Sequence, residues 1–460
     1  MINTEKKKYG LTQHRKQQLM YLLFDLLAAV LVWVSFLIFR WVIYDERIFS
    51  VDTVLVPVFS FYRALLLYPI GCLIVYWLSG YYLRPFRHSL AQEFLLTFFS
   101  SLLITIVAFF LIVIDDPVEN YQCYYVSFFV LWALQFSIPY LVRLSVSLTV
   151  RRLIKKGKYR FNVGVIGNKK SAAELSKVLT DKNVAVVISE DELDKFPQLQ
   201  RDYELSEVVV AAHGSDEHLY SIISKVYPYH VEIYFPARVY DMLTGAARIQ
   251  TLQGAPLVCI TEHKMSDTGL SIKRACDIVV AAVSLLLLSP LFLLIAILIR
   301  CSSKGEVIYR QERIGLHGRP FEILKFRTMI ADAEPNNPQL TRTDDPRVTR
   351  VGRWLRKYRI DELPQFWNVL RGDMSLVGPR PERQYYINQI VQQAPYYCLL
   401  YKIRPGLTSW GPIKVGYTDT IDKMIQRLNY DIVYMENMSL RLDIKILLYT
   451  IAVLVDGKGQ

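Results

Sequence analysis

Charged residues are scarce in the first third of this 460-residue chain, and two long stretches lack them entirely. Residues 94–114 and 121–142 contain no Asp, Glu, Lys or Arg. A chain that is 52% apolar and 21% charged is too apolar for an ordinary soluble enzyme, and this composition also excludes a disordered protein. A bilayer core takes about 20 apolar residues per helix. Together with residues 19–43 and 54–83, these stretches predict a four-helix transmembrane bundle within residues 1–150.

The few charges inside the first stretch, Asp25 and Arg40, lie near its ends, where a long side chain can reach the membrane interface. Basic residues precede the first span, separate the second from the third and follow the fourth, whereas the other two loops are acidic on balance. By the positive-inside rule, the N-terminus and everything after residue 150 face the cytoplasm.

Cysteine is also scarce: none of the six residues forms a Cys-x-x-Cys pair. This spacing disfavours a disulfide framework or a zinc site.

Residues 151–262 alternate short β-branched runs with helical stretches, which predicts a Rossmann-like α/β domain. Because its first turn lacks the third glycine of the dinucleotide fingerprint, a structural or regulatory role is favoured. The predicted strands are 162–166, 184–188, 208–211 and 231–235, and the predicted helices are 170–179 and 216–226.

A fifth apolar stretch, residues 278–299, has basic residues at both ends. A helix that crossed the membrane would place one of these clusters on the wrong side. Ser289 and Pro290 interrupt the stretch, and a proline inside a helix removes a hydrogen bond and bends the axis. We therefore expect a re-entrant helix at about 275–300 that enters the leaflet and returns, with Ser289 covering a freed carbonyl. The alternative is a kinked fifth span, which would place residues 300–460 outside the cytoplasm.

The net charge of +12 is compatible with nucleic acid, an anionic membrane surface or phosphorylated substrates. Nucleic acid is poorly supported because no stretch resembles a recognised nucleic-acid module.

Residues 322–329 alternate apolar and polar like a strand, which delivers Lys325 and Arg327 to one face. Four arginines then recur at every third position, and a basic amphipathic helix on anionic lipid is the simplest interpretation of most of them. These arginines are Arg347, Arg350, Arg353 and Arg356.

Two adjacent carboxylates, Asp361 and Glu362, follow this basic segment. Such a pair is often only a solvated helix start. Here Arg380 follows between Pro379 and Pro381, and arginine matches phosphate oxygens bidentately. Mg²⁺ takes one or two carboxylates plus substrate phosphates, and a carboxylate can also act as a nucleophile on phosphorus. The pattern predicts Mg²⁺-dependent phosphoryl transfer.

Several collinear motifs between residues 271 and 455 resemble the bacterial polyprenyl-phosphate sugar-1-phosphate transferase family, which initiates exopolysaccharide, capsule and O-antigen synthesis. The resemblance is loose before residue 270, and Arg359-Ile360 stands where Ser-Leu is usual in the family. The matching motifs are Lys273-Arg274-Ala275-Cys276-Asp277, Lys325-Phe326-Arg327-Thr328-Met329, Asp361-Glu362-Leu363-Pro364-Gln365 and Gly378-Pro379-Arg380-Pro381.

The resemblance implies a catalytic domain at 263–460, mostly α-helical, on the cytoplasmic face of the bacterial inner membrane. It implies that a sugar-1-phosphate passes from a UDP-sugar to undecaprenyl phosphate with release of UMP. Asp361 would attack the β-phosphate, and Glu362 would help to hold Mg²⁺. Lys325 and Arg356 would neutralise the phosphates, and Arg380 would bind the nucleotide diphosphate. A homodimer is implied by resemblance alone.

Two other functions are compatible with parts of the sequence. One is a membrane-bound nucleotide-sensing regulator with an inactive transferase domain, which the intact set Lys325, Asp361, Glu362 and Arg380 disfavours. The other is a sugar-nucleotide dehydratase, which is disfavoured because the chain has no Tyr-x-x-x-Lys pair.

Overall fold

A computed structural model gives the fold of the chain. The structure describes residues 9–44, 55–83, 89–113, 122–155, 162–167, 183–211, 216–229, 231–236, 257–260, 265–302, 305–330, 345–416 and 420–455. Contacts divide the chain into two units. The first unit comprises residues 1–160 and 267–272, and the second comprises residues 161–266 and 273–460.

Long helices make up the first unit. Helix α1 is Tyr9–Tyr44, α2 is Leu55–Leu78, α3 is Leu90–Ala108, continued by a π-helical turn Phe109–Val113, and α4 is Gln122–Lys155. Over the described part of the chain, three segments are long and apolar enough to cross a membrane, namely Gln18–Arg40, Leu90–Leu111 and Tyr124–Arg152. These agree with three of the four predicted spans. In α2 the apolar segment Leu65–Leu78 is shorter, so the second span stays a prediction.

Asp25 does not reach toward a membrane interface as the sequence suggested. It is 1% exposed and forms an ion pair of 2.8 Å with Arg143 of α4, which is equally buried. The guanidinium also lies 4.0 Å from the ring of Tyr76 and 3.9 Å from that of Tyr81. The Tyr82 hydroxyl donates to the same carboxylate at 2.8 Å. The expectation for Asp25 was wrong because a buried charge with a buried partner has no need to reach water.

A five-stranded sheet occupies the first part of the second unit. Its strands are β1 Asn162–Ile166, β2 Asn183–Ile188, β3 Leu205–Val210, β4 Glu232–Pro236 and β5 Leu257–Cys259. The order is β2-β1-β3-β4-β5, and only the last pairing, β4 with β5, is antiparallel. The four predicted strands are confirmed with ends shifted by up to three residues. The predicted helix 216–226 is confirmed as α6, Asp216–Val226, after α5, Phe196–Asp202. The predicted helix 170–179 lies outside the described residues.

This sheet shares its hydrophobic core with the C-terminal part of the chain. The 3₁₀ segment Pro395–Lys402 contributes Cys398, 2% exposed, to the cluster that contains Ile166, Val208 and Ile223. The Tyr220 ring on α6 meets the Tyr396 ring edge-on, with centroids 5.9 Å apart. The sheet and the C-terminal part are therefore joined by buried apolar contacts.

The fifth apolar stretch forms two helices, α7 Asp267–Leu287 and α8 Ser289–Ser302, whose axes differ by 60°. The predicted break at Ser289 and Pro290 is confirmed. Pro290 has no N–H to donate to the Leu286 carbonyl, and the Ser289 hydroxyl donates to that carbonyl at 2.8 Å instead. Beyond the break, Ile295 and Ile299 of α8 pack against Phe326 and Leu355.

Short elements build the rest of the second unit. An antiparallel hairpin joins β6 Ile308–Ile314 to β7 Pro320–Phe326, and a parallel pair joins β8 Ser375–Val377 to β9 Gly406–Thr408. The strand predicted over residues 322–329 ends at Phe326, so Arg327 lies just beyond it. The helices are α9 Arg350–Lys357, α10 Gln365–Arg371, α11 Gln384–Gln393, α12 Trp410–Val415, α13 Ile421–Glu436 and α14 Leu440–Val455.

Candidate active site

The carboxylate pair lies on a 3₁₀ turn, Ile360–Glu362, between α9 and α10. Arg359 precedes the turn in the left-handed conformation with φ 53°, which costs a non-glycine residue about 1–2 kcal/mol. The chain reverses here, and Asp361 is only 8% exposed. The Glu362 side chain is 13% exposed, so neither acid is the solvated helix start that the sequence allowed.

Lys325 reaches the pair from β7, as its place in the predicted strand indicated. Its ammonium group donates a hydrogen bond of 2.9 Å to Glu362. Strand β7 is held against α10 by Asn368, whose side chain accepts from the Leu324 N–H at 3.0 Å and donates to the Glu322 carbonyl at 2.7 Å. Because α10 begins three residues after Glu362, Asn368 fixes the separation of Lys325 from the carboxylates.

Arg356 occupies the last turn of α9, and its Nε donates to the Thr328 hydroxyl at 2.9 Å. Its charge acts on Asp361. Thr328 lies against α9 so closely that a Cβ at Gly352 would overlap its carbonyl oxygen. Arg347, expected on the same helix, precedes it and pairs with Asp345 at 2.6 Å. The Arg327 guanidinium lies against Gly305.

Arg380 lies on the loop that follows β8, and its Nη2 is 3.7 Å from the Glu362 carboxylate. The carbonyls of both flanking prolines are bound: Pro379 accepts from the Gly406 N–H at 2.9 Å, and Pro381 accepts from Arg313 at 3.1 Å. The loop is therefore fixed while the Arg380 side chain stays 32% exposed. The structure thus brings together Lys325, Arg356, Asp361, Glu362 and Arg380.

The two carboxylates differ in their ionisation. Burial is the main cause that raises the pKa of Asp361 to about 6; Lys325 lowers this pKa and Glu362 raises it. Burial acts on Glu362 as well, but Lys325, Arg380 and Arg359 outweigh it and hold the pKa of Glu362 below its usual range. Two carboxylates whose environments separate their pKa values are suited to two different chemical roles.

The donor chemistry of the pair fits Mg²⁺. Asp361 and Glu362 are hard oxygen donors, and Mg²⁺ needs only one or two carboxylates when phosphate oxygens and water complete its shell. Among the described residues, no group of three or more His, Cys, Asp or Glu could form an all-protein cage. By their donor chemistry, Asp361 and Glu362 are the residues that would hold the ion.

Sequence reasoning missed three buried acids that support the site. Asp431 of α13 accepts from the backbone N–H of Arg380 and from the Gly411 N–H at 3.1 Å, and burial raises the pKa of Asp431 to about 6. Glu382 pairs with Arg427 and, at 3.4 Å, with Arg313. Asp277 accepts from Ser375 and Leu376. Of these three acids, only Asp277 could have been found from the sequence, because it is the last residue of the family motif that begins at Lys273.

The site lies within the part of the chain that matches known proteins. A family model described as bacterial sugar transferase matches residues 268–457. The chain belongs to this family, as its motifs predicted.

Three curated relatives show the extent of the match. The chain is 39% identical over 230 residues to the UDP-N-acetylgalactosamine-undecaprenyl-phosphate N-acetylgalactosaminephosphotransferase of Aeromonas hydrophila, covering 50% of this chain and 54% of the relative. It is 42% identical over 208 residues to the UDP-glucose:undecaprenyl-phosphate glucose-1-phosphate transferase of Escherichia coli K12, covering 45% of each. It is 48% identical over 182 residues to the transferase of the same name from Caulobacter vibrioides, covering 39% of this chain and 68% of the relative. The chain thus matches about half the length of the first two relatives.

Proposed function

We propose that this chain transfers a sugar-1-phosphate from a UDP-sugar to undecaprenyl phosphate and releases UMP. The observation that carries the proposal is the carboxylate pair of buried Asp361 and largely covered Glu362, which lies beside Lys325, Arg356 and Arg380 within the matched region. Phosphoryl transfer depends mainly on positioned charge. This cluster supplies both a nucleophile that can attack phosphorus and cations that can neutralise the phosphate oxygens. The names of the relatives support the substrate classes.

In the first step, a carboxylate oxygen of Asp361 attacks the phosphorus that bears the sugar. The bond from that phosphorus to the bridging oxygen breaks, and the electron pair leaves with UMP. Asp361 then carries the sugar-phosphate as an acyl phosphate. Asp361 suits this role because its charge is less compensated than that of Glu362, which Lys325 binds directly.

In the second step, a phosphate oxygen of undecaprenyl phosphate attacks the phosphorus of the acyl phosphate. The bond to Asp361 breaks and restores the carboxylate, and the product is the undecaprenyl diphosphate sugar. Exposure of the Arg380 guanidinium permits it to bind a diphosphate, while Lys325 and Arg356 neutralise charge beside Asp361. Bound at Asp361 and Glu362, Mg²⁺ would supply further neutralisation of the diphosphate charge.

The membrane arrangement follows from the same proposal. Residues 1–150 would form a four-helix transmembrane bundle, residues 151–262 a cytoplasmic Rossmann-like domain, and residues 263–460 the catalytic domain on the cytoplasmic leaflet of the bacterial inner membrane. The 60° bend between α7 and α8, with the Ser289 hydroxyl on the Leu286 carbonyl, supports a helix that enters the leaflet and returns. The family resemblance also suggests a homodimer.

The proposal can be tested with the purified full chain, Mg²⁺, undecaprenyl phosphate and a panel of UDP-sugars, with UMP as the readout. We expect UMP from at least one sugar, and we expect Asp361→Asn to abolish it. Asp194→Asn is the matched control, because Asp194 is 82% exposed on the surface of the unit. An absence of UMP with every UDP-sugar would refute the proposal and favour a regulator with an inactive transferase domain.

A further inference from the structure

Side chains from the middle of α7, between residues 273 and 277, bind the chain on both sides of the candidate active site. Asp277 of α7 accepts from the Ser375 hydroxyl at 2.7 Å and from the Leu376 N–H at 3.0 Å. Lys273, one turn earlier, donates to the Val377 carbonyl at 3.0 Å. All three residues of strand β8 are therefore bound by two side chains from a single turn of α7.

The carboxylate of Asp277 is dedicated to this strand. Asp277 is 4% exposed, and its two oxygens are used separately, one by Ser375 and the other by Leu376. Hydrogen bonds to a buried carboxylate are about twice as strong as neutral ones. A buried charge is retained only where such donors compensate for its lost hydration. Asp277 is therefore placed to fix both the position and the register of β8.

Only two residues separate β8 from Arg380, and neither gives the chain much freedom. The Gly378 N–H donates to the Thr408 carbonyl at 3.0 Å, and the Gly406 N–H donates to the Pro379 carbonyl at 2.9 Å. A Cβ at Gly378 would overlap the Arg404 carbonyl oxygen, so the backbone is closely confined there. A shift of β8 would consequently move Arg380 relative to Glu362.

The same turn of α7 also holds the other side of the site. Arg274 donates to the carbonyls of Val369 at 2.8 Å and Leu370 at 3.1 Å. These are carbonyls of the last turn of α10, where a cation is favoured by the helix dipole. Helix α10 begins three residues after Glu362, so Arg274 and Asp277 together set the separation between the carboxylate pair and Arg380.

We propose that Asp277 is a positioning residue, which acts by holding β8 so that Arg380 faces Glu362 and can bind the diphosphate of the nucleotide sugar. This role rests on the function proposed above. It links the helix that would enter the membrane to the phosphate-binding loop through two hydrogen bonds.

A double-mutant cycle between Asp277 and Arg380 tests the role. In Asp277→Asn one carboxylate oxygen becomes an amide that cannot accept a hydrogen bond. We expect kcat/KM for the UDP-sugar to fall by roughly 10- to 100-fold, mainly through KM, because this range is typical of one or two lost polar contacts. In the Arg380→Ala background the same substitution should lower kcat/KM by less than about 3-fold, because the effects of residues that act as a unit are not additive. Cys276→Ser, an exposed neighbour on α7, is the control and should change neither parameter.

Equal losses in both backgrounds would overturn the proposal, since a residue that only stabilises the fold has no reason to depend on Arg380. If Asp277→Asn does not fold, Ser375→Ala removes one of the two hydrogen bonds and should give a smaller loss with the same dependence on Arg380. If the wild type releases no UMP, the proposed function fails separately, and the cycle is measured as the Kd for UDP by calorimetry. Additive changes in that Kd would equally refute the positioning role.

Discussion

Lys325 donates a hydrogen bond of 2.9 Å to Glu362, the neighbour of the proposed nucleophile Asp361. Burial acts on both acids: it raises the pKa of Asp361 to about 6, whereas Lys325, Arg380 and Arg359 outweigh it at Glu362 and hold the pKa of that acid below its usual range. A carboxylate whose charge is compensated by neighbouring cations is the poorer nucleophile of the two. This difference is the basis for proposing Asp361, and not Glu362, as the nucleophile.

Lys325→Met should lower kcat/KM by roughly 100-fold or more, since removal of one preorganised charge from such sites typically costs about 3–4 kcal/mol. Arg at this position should recover part of the loss, because it restores the charge without the same geometry. UMP release under saturating undecaprenyl phosphate is the readout. Lys225→Met, at a lysine that is 47% exposed on α6, is the control. Unchanged activity in Lys325→Met would contradict the assigned role.

The rate should depend on the ionisation of Asp361. An ionised carboxylate is needed for attack, so kcat/KM should fall tenfold per pH unit below the pKa of Asp361, which burial raises to about 6 in the protein without Mg²⁺. Lys325 lowers the pKa of Asp361, so Lys325→Met should move this acid limb to higher pH. A pH profile measured on both proteins checks the prediction. An acid limb that does not move would show that another group controls it.

Asp361→Asn should stabilise the fold while it abolishes activity. The pKa of Asp361 is raised from 3.8 to about 6, so the folded state binds the proton more tightly than the unfolded state does. The protonated Asp361 therefore contributes to the free energy of unfolding below the unfolded pKa, and this contribution is lost as the pH rises through the folded pKa. The loss amounts to about 3 kcal/mol at most. Because an asparagine side chain does not ionise, Asp361→Asn avoids this loss of stability at neutral pH. In chelator, the Tm of Asp361→Asn should therefore exceed that of the wild type at pH 7.5, and the difference should shrink toward pH 5.

Arg143→Leu should destabilise the first unit, because it leaves Asp25 buried without its partner. Loss of one member of a buried ion pair costs about 3–5 kcal/mol. The double substitution Asp25→Asn with Arg143→Leu should recover part of that loss. Thermal unfolding in detergent, with Asp202→Asn as an exposed control, measures both effects. A double variant no more stable than Arg143→Leu would contradict a pairwise role.

Local sequence patterns predicted those structural features that depend on residues close together in the chain. The strand at 162–166 and the helix at 216–226 were predicted within a residue because their apolar spacing is regular. The break at Ser289 and Pro290 follows from proline chemistry alone. Lys325 was correctly placed on its strand, although the strand ends before Arg327.

Contacts between distant residues could not be predicted. Asp25 finds its partner 118 residues away, and nothing near Asp25 in the chain signals Arg143. Asp431 belongs to an ordinary amphipathic helix until folding brings it to the backbone of Arg380. The left-handed conformation of Arg359, which turns the carboxylate pair inward, is likewise imposed by packing, since arginine does not favour it.

The membrane topology has its own test, since a helix that returns to its starting side leaves residue 460 in the cytoplasm. A reporter fused after residue 460, or cysteine accessibility near the C-terminus, should give a cytoplasmic signal in the wild type. Pro290→Leu restores the missing N–H and favours a straight helix. An external C-terminus in the wild type would contradict the re-entrant arrangement and favour a fifth span.

The most direct test of the account is the capture of the phospho-sugar on Asp361. The purified chain is incubated with Mg²⁺ and a UDP-sugar labelled in its β-phosphate, without undecaprenyl phosphate, then quenched and analysed by mass spectrometry. We predict a label on the peptide that contains Asp361, released on addition of undecaprenyl phosphate and absent in Asp361→Asn but present in Glu322→Gln, a substitution at an acid that is 62% exposed on β7. An active enzyme that never becomes labelled, or a label that persists in Asp361→Asn, would contradict the covalent mechanism.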